Sequence, residues 1–125
     1  MTNECDERLK KIVSGFQECR NAFTAIGDET RQLILLILLE SALSGIRVGE
    51  IAEKAHLTRP SVSHHLQILK EAGIVAMRKE GTKNYYYLSV DETHWKEIAD
   101  LINLIYESVR HISSPILISE PSLLK

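Results

Sequence analysis

Residues 58–73 constrain the fold more than any other segment, because they specify one amphipathic helix from its first cap to its last. Thr58 suits the N-cap, Pro60 is tolerated in the first turn, and Gly73 can take the left-handed conformation that ends a helix. Apolar side chains recur at the spacing of a single helix face, at Val62, Leu66 and Leu69. We therefore predict that this face packs on a core.

The opposite face of this helix is polar and mostly short-chained, and its residues are Arg59, Ser61, Ser63, His64, Gln67 and Lys70. Such a face suits the major groove of DNA, where amide and hydroxyl groups pair with base edges. An ordinary surface helix would also alternate apolar and polar positions. The flanking segments favour the first interpretation.

Residues 47–55 predict a short helix, and a tight turn at 56–58 joins it to the next, which makes a helix-turn-helix. Further on, two strands are predicted at 74–79 and 85–88, with a turn at 80–84. A hairpin in that place is the wing of a winged helix. Four residues near its tip can reach phosphate or the minor groove: Lys79, Thr82, Lys83 and Asn84. Alternatively, the hairpin is an ordinary solvated sheet edge whose lysines discourage aggregation. The two interpretations of the wing are compatible.

Three further helices complete a fold that is mainly α with a small β-hairpin, a winged helix-turn-helix. The first covers residues 4–26. The second follows the cap Asp28, ends near Ser41 and contains an unbroken apolar run at 33–39, so we expect it to be central and buried. The last helix begins near residue 91 or 93 and ends at about 112.

The two terminal helices each carry an apolar stripe in steps of three and four residues. The stripes include Leu9, Ile12 and Phe16 in the first helix and Trp95, Ile98, Ile102, Ile105 and Val109 in the last. A chain of this length needs only one side of each helix for its own core, so we predict that the stripes form a homodimer interface. Packing of the two helices on each other within one chain is the alternative. We expect one domain over residues 1–112 and a loose tail at 113–125.

Charge is distributed unevenly, although the net charge is only −2. Residues 58–85 hold five basic and two acidic side chains, and the remainder holds ten and fifteen. A basic segment on an acidic body can dock on phosphates.

The polar, acidic N-terminus is unlike a secretory signal, and the longest apolar run is too short for a bilayer. We therefore expect a cytoplasmic protein that contacts no membrane.

The two cysteines, Cys5 and Cys19, are about 21 Å apart along the first helix and cannot bond to each other within it. They could pair across a dimer as a redox switch, but a free cysteine in an apolar stripe is more often an inert small hydrophobe.

Glycine-rich phosphate loops, His-Glu-x-x-His and Gly-x-Ser-x-Gly are absent. We expect neither an enzyme nor a cofactor.

Three stretches of this chain resemble the ArsR-type (ArsR/SmtB) family of small dimeric winged-helix repressors: residues 25–31, residues 61–73, and the wing at 78–81 with 85–88. The Ser-x-Ser-His-His-Leu core of the second stretch is a fairly specific signal. The resemblance covers about residues 20–112. It implies a dimer on double-stranded DNA at an imperfect inverted repeat, with recognition helices about 34 Å apart, and repression that a bound effector relieves.

The same resemblance implies base contacts from Ser61, Ser63, His64 and Gln67, with Arg59 and Lys70 nearer to phosphates. The role of His65 stays open. The family's metal sites are not filled, because residues 46–50 hold no cysteine and the ligand positions of the last helix fall on Val90, Glu92, Asn103 and Tyr106. We therefore expect no metal site, and the effector stays unidentified.

Two alternatives remain. In the last helix, two pairs have a spacing that permits a shared ion, His94 with Glu97 and Glu107 with His111, although exposed charge is the simpler explanation. A winged helix can also hold a protein partner on the same surface without specific DNA binding. An affinity that falls steeply with salt concentration indicates that the surface binds DNA. An affinity that changes little with salt indicates a mostly apolar protein groove.

Overall fold

The computed structural model describes residues 2–41 and 44–112, which contain five helices and a two-stranded hairpin. The helices are α1 (Thr2–Ile26), α2 (Glu29–Glu40), α3 (Val48–Ala55), α4 (Arg59–Glu71) and α5 (Glu92–Ile112), and the strands β1 (Val75–Glu80) and β2 (Lys83–Leu88) precede α5. This order confirms the predicted winged helix-turn-helix. The tail predicted at 113–125 lies outside the described residues. No described helix is both long and apolar enough to span a bilayer.

The chain forms two compact units. Arg20–His94 is one unit and contains α2, α3, α4 and the hairpin, and therefore every predicted DNA-binding residue. The described parts of Met1–Cys19 and Trp95–Lys125 form the other, which contains both predicted stripes.

Helix α4 begins and ends where its sequence predicts. The hydroxyl of Thr58 accepts a hydrogen bond from the amide of Ser61 at 3.2 Å, which satisfies one of the unpaired donors of the first turn. Gly73 has φ +78° and closes a Schellman motif on the last turn. The inner face is fully buried at Val62, Leu66 and Leu69. The predicted apolar face is thereby confirmed.

The prediction that α2 is buried all round is wrong for one side of the helix. Asp28 caps α2 as predicted, and Ile34, Ile37 and Leu38 are buried. Three leucines on the other side, however, are between 40 and 63 % exposed, namely Leu33, Leu36 and Leu39. The neighbours of α2 within its unit are α3, α4 and β2, and they cover only the side that carries the buried residues.

The wing is longer, and its turn tighter, than predicted. Strand pairing runs from Val75 opposite Leu88 to Glu80 opposite Lys83, which leaves a two-residue turn. Gly81 has φ +63°, the positive value that such a short turn requires. Lys83 and Asn84, predicted in the loop, are therefore the first residues of β2.

A bridge absent from the sequence prediction joins the wing to the segment before α3. The backbone amides of Ile46 and Tyr86 donate to each other's carbonyls, both at 2.9 Å. Arg78 in β1 donates to the carbonyl of Ser44 and stacks on the ring of Tyr85 at 4.8 Å. The base of the wing is thereby attached to the helix-turn-helix.

The turn between α3 and α4 holds His56 in the left-handed region, with φ +58°. A β-carbon there costs about 1 kcal/mol or more, which exceeds the entropy that glycine loses on folding. We expect His56→Gly to raise the free energy of unfolding by about 0.5–1 kcal/mol in urea denaturation at fixed protein concentration. His56→Ala is the control, and an equal gain from alanine would contradict the backbone explanation.

Candidate nucleic-acid interface

The outer face of α4 presents the predicted polar set on one side of the helix. Arg59, Ser63, His64, Gln67 and Lys70 are exposed, and Ser61 is half-buried. The burial of the inner apolar face fixes this orientation, because turning the helix would expose those side chains. The exposed set offers hydroxyl and amide groups in the middle of the helix and a cation near each end.

The side chain of Gln67 is partly ordered before any ligand binds. Its Nε2 donates to Oε2 of Glu71, one turn further on, at 2.9 Å. Its Oε1 stays available as an acceptor, so the group can still form the paired contact by which glutamine recognises adenine once a base replaces Glu71.

Arg59 lies over the start of α3. A β-carbon on Gly49 would be 2.8 Å from Nη2 of Arg59, so the space that the guanidinium occupies depends on glycine. Both residues line a polar recess of about 350 Å³ with Arg47, Glu50 and Glu53. Arg47 is exposed and is missing from the predicted set, although a basic residue at the start of a helix-turn-helix was an available signal.

The hairpin brings the predicted wing residues together at its tip. Lys79 lies opposite Asn84 in the ladder, and Thr82 belongs to the turn. All three, and Lys83, are exposed. Two lysines at the tip of an attached hairpin can contact phosphate without any contribution from the apolar core.

The adjacent histidines of α4 have different surroundings. His64 is exposed on the polar face, whereas His65 is half-buried, and its Nδ1 lies 3.2 Å from Nη1 of Arg31. The two rings meet edge to face with centroids 5.4 Å apart. The structure therefore assigns His65 an inward position, which the sequence left open.

Among residues 2–41 and 44–112 no group of three or more histidine, cysteine or acidic side chains is placed to hold a metal ion. In each pair of α5 residues that permitted a shared ion, one residue has another partner. His94 pairs with Asp91 at 3.5 Å, and Glu107 pairs with Arg110 at 3.2 Å.

Both cysteines lie in α1, so one continuous helix separates them as predicted. Cys5 is exposed and Cys19 is buried. Burial, together with the nearby Glu97 and Glu18, raises the pKa of the Cys19 thiol. A thiol that resists ionisation reacts slowly with oxidants, so a redox switch would depend on Cys5. That switch stays a prediction.

Helix α1 packs on α5 within the chain, which is the alternative to dimerisation. A β-carbon on Gly15 would be 2.7 Å from Cδ1 of Leu101, and Leu101 is only 3 % exposed. The predicted stripes avoid this contact only in part, because Ile98 and Ile105 lie three and four residues from Leu101 and therefore on the same side of α5. Leu9, Phe16, Ile102 and Val109 are between 48 and 60 % exposed, and Ile12, Trp95, Ile98 and Ile105 are half-buried. Packing within the chain therefore leaves much of both stripes accessible to a partner.

An exposed polar helix with an apolar inner face, beside an attached wing with basic residues at its tip, defines the winged helix-turn-helix regulators. The family model for "Bacterial regulatory protein, arsR family" matches residues 28–76. An uncharacterized HTH-type transcriptional regulator of Methanocaldococcus jannaschii is 42% identical over 88 residues, which cover 70% of this chain and 94% of that protein. The chain belongs to the ArsR family of bacterial regulatory proteins. It is a transcriptional regulator and not an enzyme.

Two further comparisons agree. The transcriptional repressor SdpR of Bacillus subtilis is 38% identical over 79 residues, which cover 60% of this chain and 84% of that protein. A solution structure from Mycobacterium bovis is described as a homodimeric winged helix-turn-helix DNA-binding domain of a possible ArsR-family regulator. The two chains are 22% identical, and the superposed region covers 82% of this chain and 91% of the Mycobacterium chain. The TM-score of 0.58 supports the fold. Regulators of this family bind DNA and are often homodimers.

Proposed function

We propose that the protein is a dimeric repressor whose two α4 helices bind successive major grooves of an imperfect inverted repeat in double-stranded DNA. The division of α4 into a fully buried apolar face and an exposed polar face carries this proposal. The repressor activity of the Bacillus relative and the homodimer from Mycobacterium support it. An effector of unidentified chemistry releases the DNA. The protein acts in the cytoplasm, where its DNA target is accessible.

The two kinds of contact have separate residues in this proposal. Ser61, Ser63, His64 and Gln67 face base edges and determine the sequence that is preferred. Arg59, Lys70, Lys79, Thr82, Lys83 and Asn84 position the protein on the backbone or in the minor groove. The base contacts come from a helix whose inner face is buried, and a helix holds functional side chains more precisely than a loop does.

The dimer is proposed from the exposed stripes of α1 and α5. Phe16 and Ile102 are each about half exposed, although apolar groups of that size favour burial. The packing of α1 on α5 within the chain leaves the side chains of Phe16 and Ile102 accessible to a second copy. Two copies joined there would carry the two recognition helices that an inverted repeat requires.

Fluorescence anisotropy on the DNA upstream of the coding region tests the proposal, with a scrambled duplex as competitor at physiological salt. We expect binding at least about a thousandfold tighter than to the competitor. Equal, weak binding to both duplexes would contradict sequence-specific recognition. The salt dependence of the affinity then tests the alternative, a winged helix that holds a protein partner. Such a module lacks the steep salt dependence that phosphate contacts produce.

Gln67→Ala and Lys83→Ala should have different effects on DNA binding. We expect Gln67→Ala to weaken binding to the preferred duplex by about tenfold or more while binding to scrambled DNA changes little, because a base contact is lost. Lys83→Ala should weaken both complexes and lower the slope of log K against log salt by about 1.

Lys10→Ala is the control for Lys83→Ala, because Lys10 is an exposed lysine of α1 outside the predicted surface. Anisotropy titrations at several salt concentrations give both quantities. Equal losses on both duplexes for Gln67→Ala and Lys83→Ala would contradict the division between base and phosphate contacts.

A further inference from the structure

Arg31 is a buried charge that joins three helices of the unit Arg20–His94. It lies in the first turn of α2 and is only 9 % exposed. Its Nε donates to the carbonyl of Ala25 at 2.8 Å, and its Nη2 donates to the carbonyl of Thr24 at 3.2 Å, both in the last turn of α1. Its Nη1 reaches Nδ1 of His65 in α4, also at 3.2 Å.

This contact determines the protonation state of His65. A guanidinium group has only donors, so Nδ1 of His65 must accept the hydrogen bond and the ring proton must be on Nε2. The ring is therefore neutral while the contact exists. Protonation of His65 would replace its acceptor with a donor that faces a second cation.

The charged groups around His65 come from two elements. Arg31 and the capping Asp28 face it from α2 and its cap, and His64 adjoins it on α4, whereas α1 contributes carbonyl groups. Burial lowers the pKa of His65, and Arg31 and His64 lower it further against the opposing effect of Asp28. The neutral form that the geometry requires is thus also the form that the surroundings favour.

We propose that His65 is a positioning residue for DNA recognition, and that its protonation releases α4 from Arg31 and weakens sequence-specific binding. This inference rests on the proposed function. The other inward contacts of α4 are made by Val62, Leu66 and Leu69, and apolar contacts are non-directional. The hydrogen bond to Arg31 is directional, so it can fix the remaining rotation of α4 within the orientation that the apolar face sets, and with it the aim of the neighbouring His64.

The sign of the pH dependence follows from the lowered pKa of His65. In the folded protein the contact persists until the pH falls through the folded-state pKa of His65, which lies below the ordinary value of about 6.5. His64, which is exposed on the polar face, also contributes to DNA binding in the proposed interface. A comparison of variants that all retain His64 cancels that contribution.

Two substitutions at His65 distinguish the effect of its hydrogen-bond acceptor from the effect of its protonation. Asparagine places Oδ1 close to the position of Nδ1 and cannot be protonated, so His65→Asn keeps the contact at every pH. His65→Leu removes the acceptor. The measured quantity is the ratio of affinities for a preferred and a scrambled duplex, by anisotropy, from about pH 8 down to the lowest pH at which the protein stays folded. The preferred duplex is selected from a random-sequence pool by the wild-type protein, and circular dichroism at each pH confirms folding.

We expect the wild-type ratio to fall by about tenfold or more once the pH lies below the folded-state pKa of His65, because the buried guanidinium then loses its acceptor. The ratio of His65→Asn should stay constant, and that of His65→Leu should be low throughout. NMR of the free wild-type protein should show the proton on Nε2 above that folded-state pKa.

Three results would overturn the inference. If His65→Asn loses its ratio with falling pH as the wild type does, or His65→Leu keeps the wild-type ratio, then DNA recognition stands but His65 does not position it. If the pool yields no preferred duplex at any pH, the proposed function fails and the inference fails with it. Should His65→Leu not fold, the comparison of wild type with His65→Asn decides alone.

Discussion

Replacement of Arg31 by alanine is expected to lower the free energy of unfolding by about 3 kcal/mol, because a buried group loses three hydrogen bonds. The guanidinium satisfies two carbonyls at the end of α1 and one ring nitrogen of α4. A helix leaves its last four carbonyls without partners inside the helix, and those of Thr24 and Ala25 are two of them. Alanine removes three hydrogen bonds and leaves a cavity where water must enter.

Urea denaturation followed by circular dichroism measures the loss, at one protein concentration because dimerisation adds to stability. Arg20→Ala removes an exposed arginine of α1 and should change the free energy by less than about 0.5 kcal/mol. Arg31→Lys should lie between the two, because an ammonium group cannot reach three acceptors in the geometry of a planar fork. A loss below about 1 kcal/mol for Arg31→Ala would contradict the role assigned to these bonds.

Ile102→Asp is expected to separate the dimer and to weaken binding to the preferred duplex by about a hundredfold or more. Ile102 is 51 % exposed in the single chain and lies at the centre of the α5 stripe. A carboxylate there must lose its water when a second copy covers it, and the stripes themselves offer it only apolar side chains. A monomer binds one half-site at a time and loses the gain from joining two contacts.

Asn103→Asp adds the same charge at the next exposed position, about 100° around the helix from the stripe. It should leave the sedimentation coefficient and the affinity almost unchanged. Ile102→Asp should sediment as a folded monomer, because the contact of Leu101 with α1 lies on another face. A dimer that persists in this variant, or a monomer with full affinity, would contradict the proposed interface.

The helix ends could be predicted because their causes are local. Asp28 and Thr58 each accept a hydrogen bond from an amide three residues later, and Gly73 adopts the left-handed conformation that few other residues tolerate. The turn of the wing was predicted too long because Gly81 permits a tighter one, and only the pairing of β1 with β2 decides between them.

The predicted DNA-binding surface also follows from periodicity. Helical spacing places Val62, Leu66 and Leu69 on one side of α4, so the polar residues between them must face the other. Periodicity does not show which neighbour covers an apolar face. This is why α2, apolar all round in sequence, has leucines on the surface, and why α5 uses Leu101 against α1 while Ile102 faces outward.

The sequence by itself determined the class of the chain, its element order and the polar face of α4, because propensity, capping and spacing act over a few residues. Only the tertiary structure showed that Ile46 pairs with Tyr86 and that Arg31 reaches His65, partners that are 40 and 34 positions apart in the chain. No local pattern marks one arginine for burial. Its position depends on where three helices meet, and that point exists only after the apolar faces have packed.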